Sequence, residues 1–409
     1  MSGVIEARRA PSGAPRLRLV RPDQRPPPAP RRSRPGPAGG PRADRTVAAL
    51  LVSSGALVVL GLVMVLSASS VGAYQDYGSS FLFFVRQLLY AVVGLGAFLV
   101  TARMRHTAWQ RLCFPLLVVA VVLLALVLVP GIGTVAGGSA RWLRFGPVTV
   151  QPSEMAKLAA ITFGATLLAR RWRRLGDLRQ LVLPLGPVMA LVCGLILLQP
   201  DMGTAVIVVS SVLVLLFVAG ARSKHLIVGG AGLGAFGFAL MYIEGYRWAR
   251  FMSFMDPWAD PQGNGYQTIQ SLIALTSGGW FGVGLGASRQ KWDYVPNAHT
   301  DFIFAIIGEE LGLAGALLVL ALFGMLIYAA VRIAVRAPDV FGRLLAAGIT
   351  GWFGIQAVTN LGAVTGLLPI TGVPLPFVSY GGSALVAAMA AVGMLVSVAR
   401  AGRLRRRTR

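Results

Sequence analysis

The sequence predicts an all-α integral membrane protein with ten transmembrane helices and both termini in the cytoplasm. Three observations carry this. Hydrophobic residues make up 55% of the 409 positions and charged residues only 13%, about half the charge of a soluble domain; the mean hydropathy is +0.69. Ten apolar runs are long enough to cross about 30 Å of hydrocarbon. Basic residues gather in alternate connections between those runs, as the positive-inside rule requires.

In order, the runs lie near residues 46–67, 83–101, 112–130, 153–169, 181–199, 203–220, 225–243, 312–334, 341–364 and 378–399. Residues 1–45 are rich in Pro, Arg and Gly and cannot bury a core, so a disordered basic cytoplasmic tail is expected. The first run is long enough to be a retained helix rather than a cleaved leader. Basic connections follow the even-numbered runs, at 102–111, 170–179, 221–225 and 332–343, and residues 401–409 form a short basic tail on the same side. The membrane domain therefore spans 46–400, with a large extracytoplasmic loop at about 244–300. The segment 301–335 is about 35 residues long where roughly 20 would cross. Residues 301–311 are thus expected to form a helical lead-in that dips into the bundle, because a non-spanning segment at that depth needs protein or water around it.

The net charge of +23 could suggest a nucleic-acid partner, but its confinement to the tails and alternate connections argues against one. Cys113 and Cys193 both fall in apolar runs and form no CxxC pattern, and the three histidines are scattered singly. Neither a disulfide framework nor a metal-ligand spacing is visible.

Ionisable groups near membrane spans are functional candidates because they are costly in lipid. Here they collect toward the outer side. Glu154 and Lys157 share one face of the fourth span, as a structural ion pair or as ligand contacts. Asp201 in QPDMG can cap the sixth span. Asp301 either caps the helix beginning at Phe302 or serves a site. Glu309 and Glu310 lie about 80° and 180° around that helix from Asp301, so at most one shares its cavity. Arg141, Arg144, Arg247, Arg250, Arg289 and Lys291 could hold phosphate oxygens, and a carboxylate among them could take a proton from an attacking hydroxyl. Mg²⁺ or Mn²⁺ could enter through a substrate pyrophosphate.

Five stretches then carry a resemblance: FLFFVRQLLYAVVG (81–94), GGSARWLRFGPVTVQPSEMAKLA (137–159), LQPDMGTA (198–205), the long block from RFMSFMDPWADP to NAHTDFIFAIIGEELG (250–312) and TGLLPITGVPLPFVSYGGSALV (365–386). Together they resemble the SEDS family (shape, elongation, division and sporulation), and its division branch more than its elongation branch. The resemblance implies a bacterial plasma-membrane glycosyltransferase at the division septum. It would polymerise lipid II into peptidoglycan strands at an outward-facing site, beside a class B penicillin-binding transpeptidase and other divisome membrane proteins. It implies that Asp301 is the essential acid and general base. It further implies functional roles for Trp142 and Asp293, and substrate contacts from Arg141, Glu154, Lys157, Arg250, Arg289, Lys291, His299 and Ser379. The family usually reads PEAHTD where this chain has PNAHTD, so Asn297 stands in place of a carboxylate. A lipid II flippase, an elongation-type polymerase and a catalytically silent scaffold are the competing expectations.

Overall fold

The computed structural model describes residues 5–9, 15–19, 41–136, 139–146, 148–172, 178–243, 245–292 and 298–407. The chain divides into Met1–Ala38 and Gly39–Thr408. Within the first unit, β1 (Ile5–Arg9) pairs antiparallel with β2 (Pro15–Leu19), Ile5 facing Leu19 and Arg9 facing Pro15. The alternation of Arg and Leu in PRLRL is a period-2 pattern. A two-stranded hairpin of this kind is marginal by itself.

The second unit is a helical bundle. Its helices are α1 (Pro41–Tyr77), α2 (Leu82–Arg103), α3 (Ala108–Val127), α4 (Pro152–Arg170), α5 (Leu178–Leu198), α6 (Met202–Val218), α7 (Ser223–Ile243), α8 (Gly245–Met255), α9 (Tyr266–Ser277), α10 (Ile303–Val335), α11 (Val340–Val364) and α12 (Gly382–Arg407). A small antiparallel sheet, β3 (Gly133–Ala136), β4 (Ser139–Phe145) and β5 (Val148–Val150), interrupts the helices between α3 and α4. Each of the ten apolar runs falls on one helix, ends aside. Among the described residues, six helices (α1, α2, α3, α10, α11 and α12) are long and apolar enough to cross a membrane, and shorter apolar helices occupy Pro184–Leu198 and Met202–Val218. The protein is thus a multi-pass membrane protein. α12 continues as helix through the basic segment read as a tail.

Burial ranks the spans. In α11, 67% of the most apolar window is buried inside the protein, against 11% in α2. α11 and α12, buried to the same extent, are therefore the central helices, Phe341, Leu344, Trp352 and Phe353 of α11 lying in the core and α11 packing against α4, α6 and α10, while α2 leaves most of its surface outside the bundle.

The over-long eighth run resolves into two pieces. At Gly312 the backbone takes φ 67° and ψ −164°, breaking α10 into a short helix 303–311 and the spanning helix that follows. Residues Phe302–Glu310 are all buried, so the lead-in dips into protein as expected. The backbone groups freed by the break are paired: Leu313 N donates to Gly279 O at 2.9 Å and Ala314 N to Trp280 O at 3.1 Å, while Val283 N donates to Glu309 O at 3.0 Å. A side chain at Gly312 would collide with the backbone of Gly282 and Phe281. The break and the loop 279–284 are therefore built as one unit, meeting the rule that irregular backbone at membrane depth be covered by protein.

Candidate active site

Asp301 lies two residues before α10, where three segments converge. Its backbone carbonyl accepts from Asn360 Nδ2 of α11 at 2.8 Å, and the same amide group donates to Val373 O at 2.8 Å. One asparagine thus ties the HTD turn to the loop between α11 and α12. Gly372 in that loop sits at φ 68°, and a Cβ placed on it would lie 3.6 Å from the Asp301 carboxylate. The third segment is the turn between α5 and α6. Just after it, in the first turn of α6, Gly203 packs against Thr371 and Val373 so tightly that a Cβ would collide with both.

The half-buried Asp301 carboxyl is pushed up to about 6 by burial, an effect that the positive charges of Arg141 and Arg250 partly offset and the negative charge of Asp201 reinforces. A carboxylate poised near neutrality, with the charges of two guanidiniums and a second acid acting on it, is suited to proton abstraction beside an anionic substrate. His299 is pushed down by burial, so its imidazole is neutral at pH 7. Its ring packs 5.0 Å from Phe83 and 5.6 Å from Tyr380, and its carbonyl accepts from Tyr380 N at 2.9 Å. Burial also raises the Tyr380 phenol, which the charge and hydrogen bond of Arg86 counteract.

The remaining candidates divide. Arg141, on β4, donates through Nε to Gln199 O at 3.0 Å and through Nη2 to Pro200 O. It clamps the small sheet onto the α5–α6 turn while its charge still reaches Asp301. Trp142 is the next residue on β4, half-buried and opposite Thr134. Arg250 is exposed on α8, a helix whose Trp248 stacks on Phe251 at 5.7 Å and meets Phe238 of α7 edge-on at 5.8 Å. Arg289 is exposed on the loop before Lys291. Asp293 and Asn297 lie outside the described residues.

Four of the expected substrate contacts are turned inward instead. Glu154 and Lys157 are each 1% exposed and form a 2.8 Å ion pair inside the bundle. Lys157 Nζ also donates to Gln356 Oε1 at 2.9 Å and lies 5.1 Å from the Trp352 ring centroid. Gln356 in turn donates to Pro374 O at 2.7 Å, so the pair braces the loop that faces Asp301 rather than opening outward. Lys291 is buried, donating to Gly286 O with Nζ 3.9 Å from Glu310. Ser379 is buried in a turn where its hydroxyl accepts from Leu375 N at 2.8 Å and Gln87 Nε2 donates to its carbonyl at 3.2 Å.

Neither Glu309 nor Glu310 joins Asp301. Glu309 accepts from Arg289 N at 2.9 Å and from the Ser288 hydroxyl, while Glu310 accepts from Ser67 Oγ of α1 at 2.6 Å. Both glutamates hold the 286–291 loop. The residues missed in the sequence are Asn360, Gln356, Gln87 and Gly372. Gln356 and Asn360 left a trace: two carboxamides four apart, hence on one face of an apolar helix. Asp201 does cap α6, its Oδ1 accepting from Thr204 N at 3.1 Å, and in addition acts on Asp301.

The FtsW/RodA/SpoVE family model, described as "Cell cycle protein", matches residues 48–404. The chain is 44% identical over 348 residues to "Stage V sporulation protein E" of Bacillus subtilis, covering 85% of this chain and 95% of that one. It is 43% identical over 351 residues to "Probable peptidoglycan glycosyltransferase FtsW" of Trichlorobacter lovleyi, covering 85% and 92%. Its fold is similar to a chain solved in work on "structural coordination of polymerization and crosslinking by a peptidoglycan synthase complex", with TM-score 0.71 and 32% identity over 86% of this chain and 97% of that one.

Proposed function

The chain belongs to the FtsW/RodA/SpoVE family of cell cycle proteins, and from that premise we propose that Asp301 is the general base with which it builds septal peptidoglycan. The protein is a peptidoglycan glycosyltransferase. Its substrate in this reading is lipid II, the disaccharide-peptide carried on undecaprenyl pyrophosphate. Asp301 takes the proton of the acceptor sugar's 4-hydroxyl, and that oxygen attacks the anomeric carbon of the growing strand's terminal sugar. The anomeric carbon–oxygen bond to pyrophosphate breaks, its electron pair leaving with undecaprenyl pyrophosphate, and the configuration inverts. Pyrophosphate leaves readily once its charge is neutralised, so no second carboxylic acid of the kind glycosidases use is needed; Arg250 and Arg141 supply the positive field.

The observation that carries this reading is the Asp301 carboxyl just ahead of α10, pushed up to about 6 by burial, with the charges of Arg141 and Arg250 acting on it. Among the described residues no three His, Cys, Asp or Glu gather into a metal cage. Mg²⁺ or Mn²⁺, where one is used, would come in with the substrate's pyrophosphate. The fold reading is ten crossings with both ends in the cytoplasm and the Asp301 side outward, supported by the basic ends of α1 and α12. A class B penicillin-binding transpeptidase is the expected partner, supported by the likeness to a synthase-complex chain; the other divisome membrane proteins complete its setting at the septum. The Glu154–Lys157 pair, which a flippase path would need open, is closed on itself.

The deciding experiment is glycan-strand synthesis by the purified chain with its transpeptidase partner. Asp301→Asn should lower the rate by about 10²–10⁴-fold, the worth of a positioned base, while the complex stays assembled. Unchanged polymer would remove Asp301 from the reaction.

A further inference from the structure

The HTD turn is gripped at both ends by the chain between α11 and α12, residues 365–381. At one end Tyr380 N donates to His299 O at 2.9 Å. Tyr380 is itself held in place by Gln87 of α2, whose Nε2 donates to Ser379 O at 3.2 Å and whose Oε1 accepts from Gly381 N at 3.2 Å. At the other end Asn360 Nδ2 donates to Asp301 O and to Val373 O, both at 2.8 Å. The same chain is pinned at its next two residues. Pro374 O accepts from Gln356 Nε2 at 2.7 Å, and Leu375 N donates to the Ser379 hydroxyl at 2.8 Å.

We propose that Asn360 is a positioning residue for the glycosyl transfer: through its two N–H bonds α11 fixes the place of Asp301 against the loop that faces its carboxylate. The proposal rests on Asp301 as the base. Both bonds go to backbone carbonyls and neither to the carboxyl, so Asn360 sets where the base stands without sharing its proton. Bridging two carbonyls takes a neutral group with two hydrogens to give. A hydroxyl has one, and a lysine would bring a charge. Two observations show that this arrangement is kept at a cost to stability. Asn360 is 2% exposed, and among the described residues its Oδ1 has no hydrogen-bond partner. A buried acceptor left unpaired is destabilising and calls for a reason. In the gripped chain, Phe377 sits at φ 67°, a conformation that bulky side chains rarely adopt. Its ring packs 5.1 Å from Phe353 of α11, and a Cβ on Gly61 of α1 would collide with its carbonyl. Backbone strain of this kind persists where the surroundings impose it, and it gathers at functional sites. The loop is thus a rigid reference, and Asn360 is the link that ties Asp301 to it.

The test is steady-state glycan-strand synthesis by the purified full chain with its transpeptidase partner, alongside equilibrium binding of lipid II. Asn360→Leu keeps nearly the same shape without the hydrogen-bonding groups. It should lower kcat by about 10–100-fold, the effect of a misplacement on the order of 1 Å, with KM within about twofold of the wild type. Lipid II should bind this variant at the wild-type stoichiometry, which separates a misplaced base from a loss of folded protein. Thr101→Val removes another buried polar contact at the far end of α2, a hydroxyl that donates to Ala390 O at 3.0 Å, and should leave kcat unchanged. A wild-type kcat in Asn360→Leu overturns the proposal. So does a raised KM at unchanged kcat, or a fall in rate matched by a fall in binding stoichiometry. Full activity in Asp301→Asn removes the base and this proposal with it. An inactive Asp301→Asn beside a fully active Asn360→Leu overturns the positioning role alone. If Asn360→Leu does not fold, Asn360→Ser, smaller and with a single donor, decides by the same criteria.

Discussion

Asp301 combines two demands, ionisation near neutrality and a fixed position, and different neighbours meet them. Burial raises the carboxyl, Arg141 and Arg250 limit the rise, and Asn360 holds the backbone. Because the folded value of about 6 lies above the ordinary 3.8, the neutral form is favoured in the fold. Its contribution to stability is present in acid and is lost as pH rises through 6. Activity should run the other way: the rate of strand synthesis should climb through an acid limb centred near 6, where the base ionises. Arg250→Gln removes a lowering influence, so the limb should move to higher pH; a pH–rate profile of that variant showing no shift would separate Arg250 from the base. The buried ion pair gives a stability test. Lys157→Met strands Glu154 in the bundle and should cost about 3–5 kcal/mol. Adding Glu154→Gln should recover much of the loss in thermal unfolding, because no uncompensated charge then remains.

At the scale of elements, the segment 279–314 carries the most structural information. The Gly312 break gives the site its floor: the short helix 303–311 presents Asp301 at its head and, at its other end, turns Glu309 and Glu310 onto the 286–291 loop. The backbone there needs positive φ, and the space beside Gly312 is filled by the backbone of Phe281 and Gly282. Gly312→Ala should therefore be strongly destabilising, by about 1–3 kcal/mol for the conformation alone with the collision added. A melting temperature unchanged in that variant would mean the break is not a feature of the folded protein. The excess length of the run at 301–335 was visible in the sequence. Where it breaks was not, because GEELGLAG contains three glycines and periodicity does not distinguish them.

For the whole molecule, the claim to test is the proposed topology. The topology proposed above places Ser79, between α1 and α2, on the outer side and Arg105, between α2 and α3, on the inner. In a background with Cys113 and Cys193 replaced by Ala, Ser79→Cys should label with a membrane-impermeant thiol reagent added to whole cells. Arg105→Cys should label only after the membrane is opened. Labelling of both from outside would overturn the ten-crossing topology. The glutamate and lysine of α4 suggested a ligand site, yet the two pair with each other inside the bundle.

Composition and the placement of arginines determined by themselves that this is a helical membrane protein and where its apolar runs lie, because the cost of charge in lipid is local and additive along the chain. The HTD motif likewise singled out Asp301. Only the tertiary structure decided which charged groups face Asp301 and which are consumed internally, since that depends on contacts between residues far apart in sequence. Lys291 and Arg250 look alike in the sequence, both basic and both in the outer loop. Glu310 and Gly286 turn one inward, and the packing of α8 on α7 leaves the other exposed, its charge acting on Asp301.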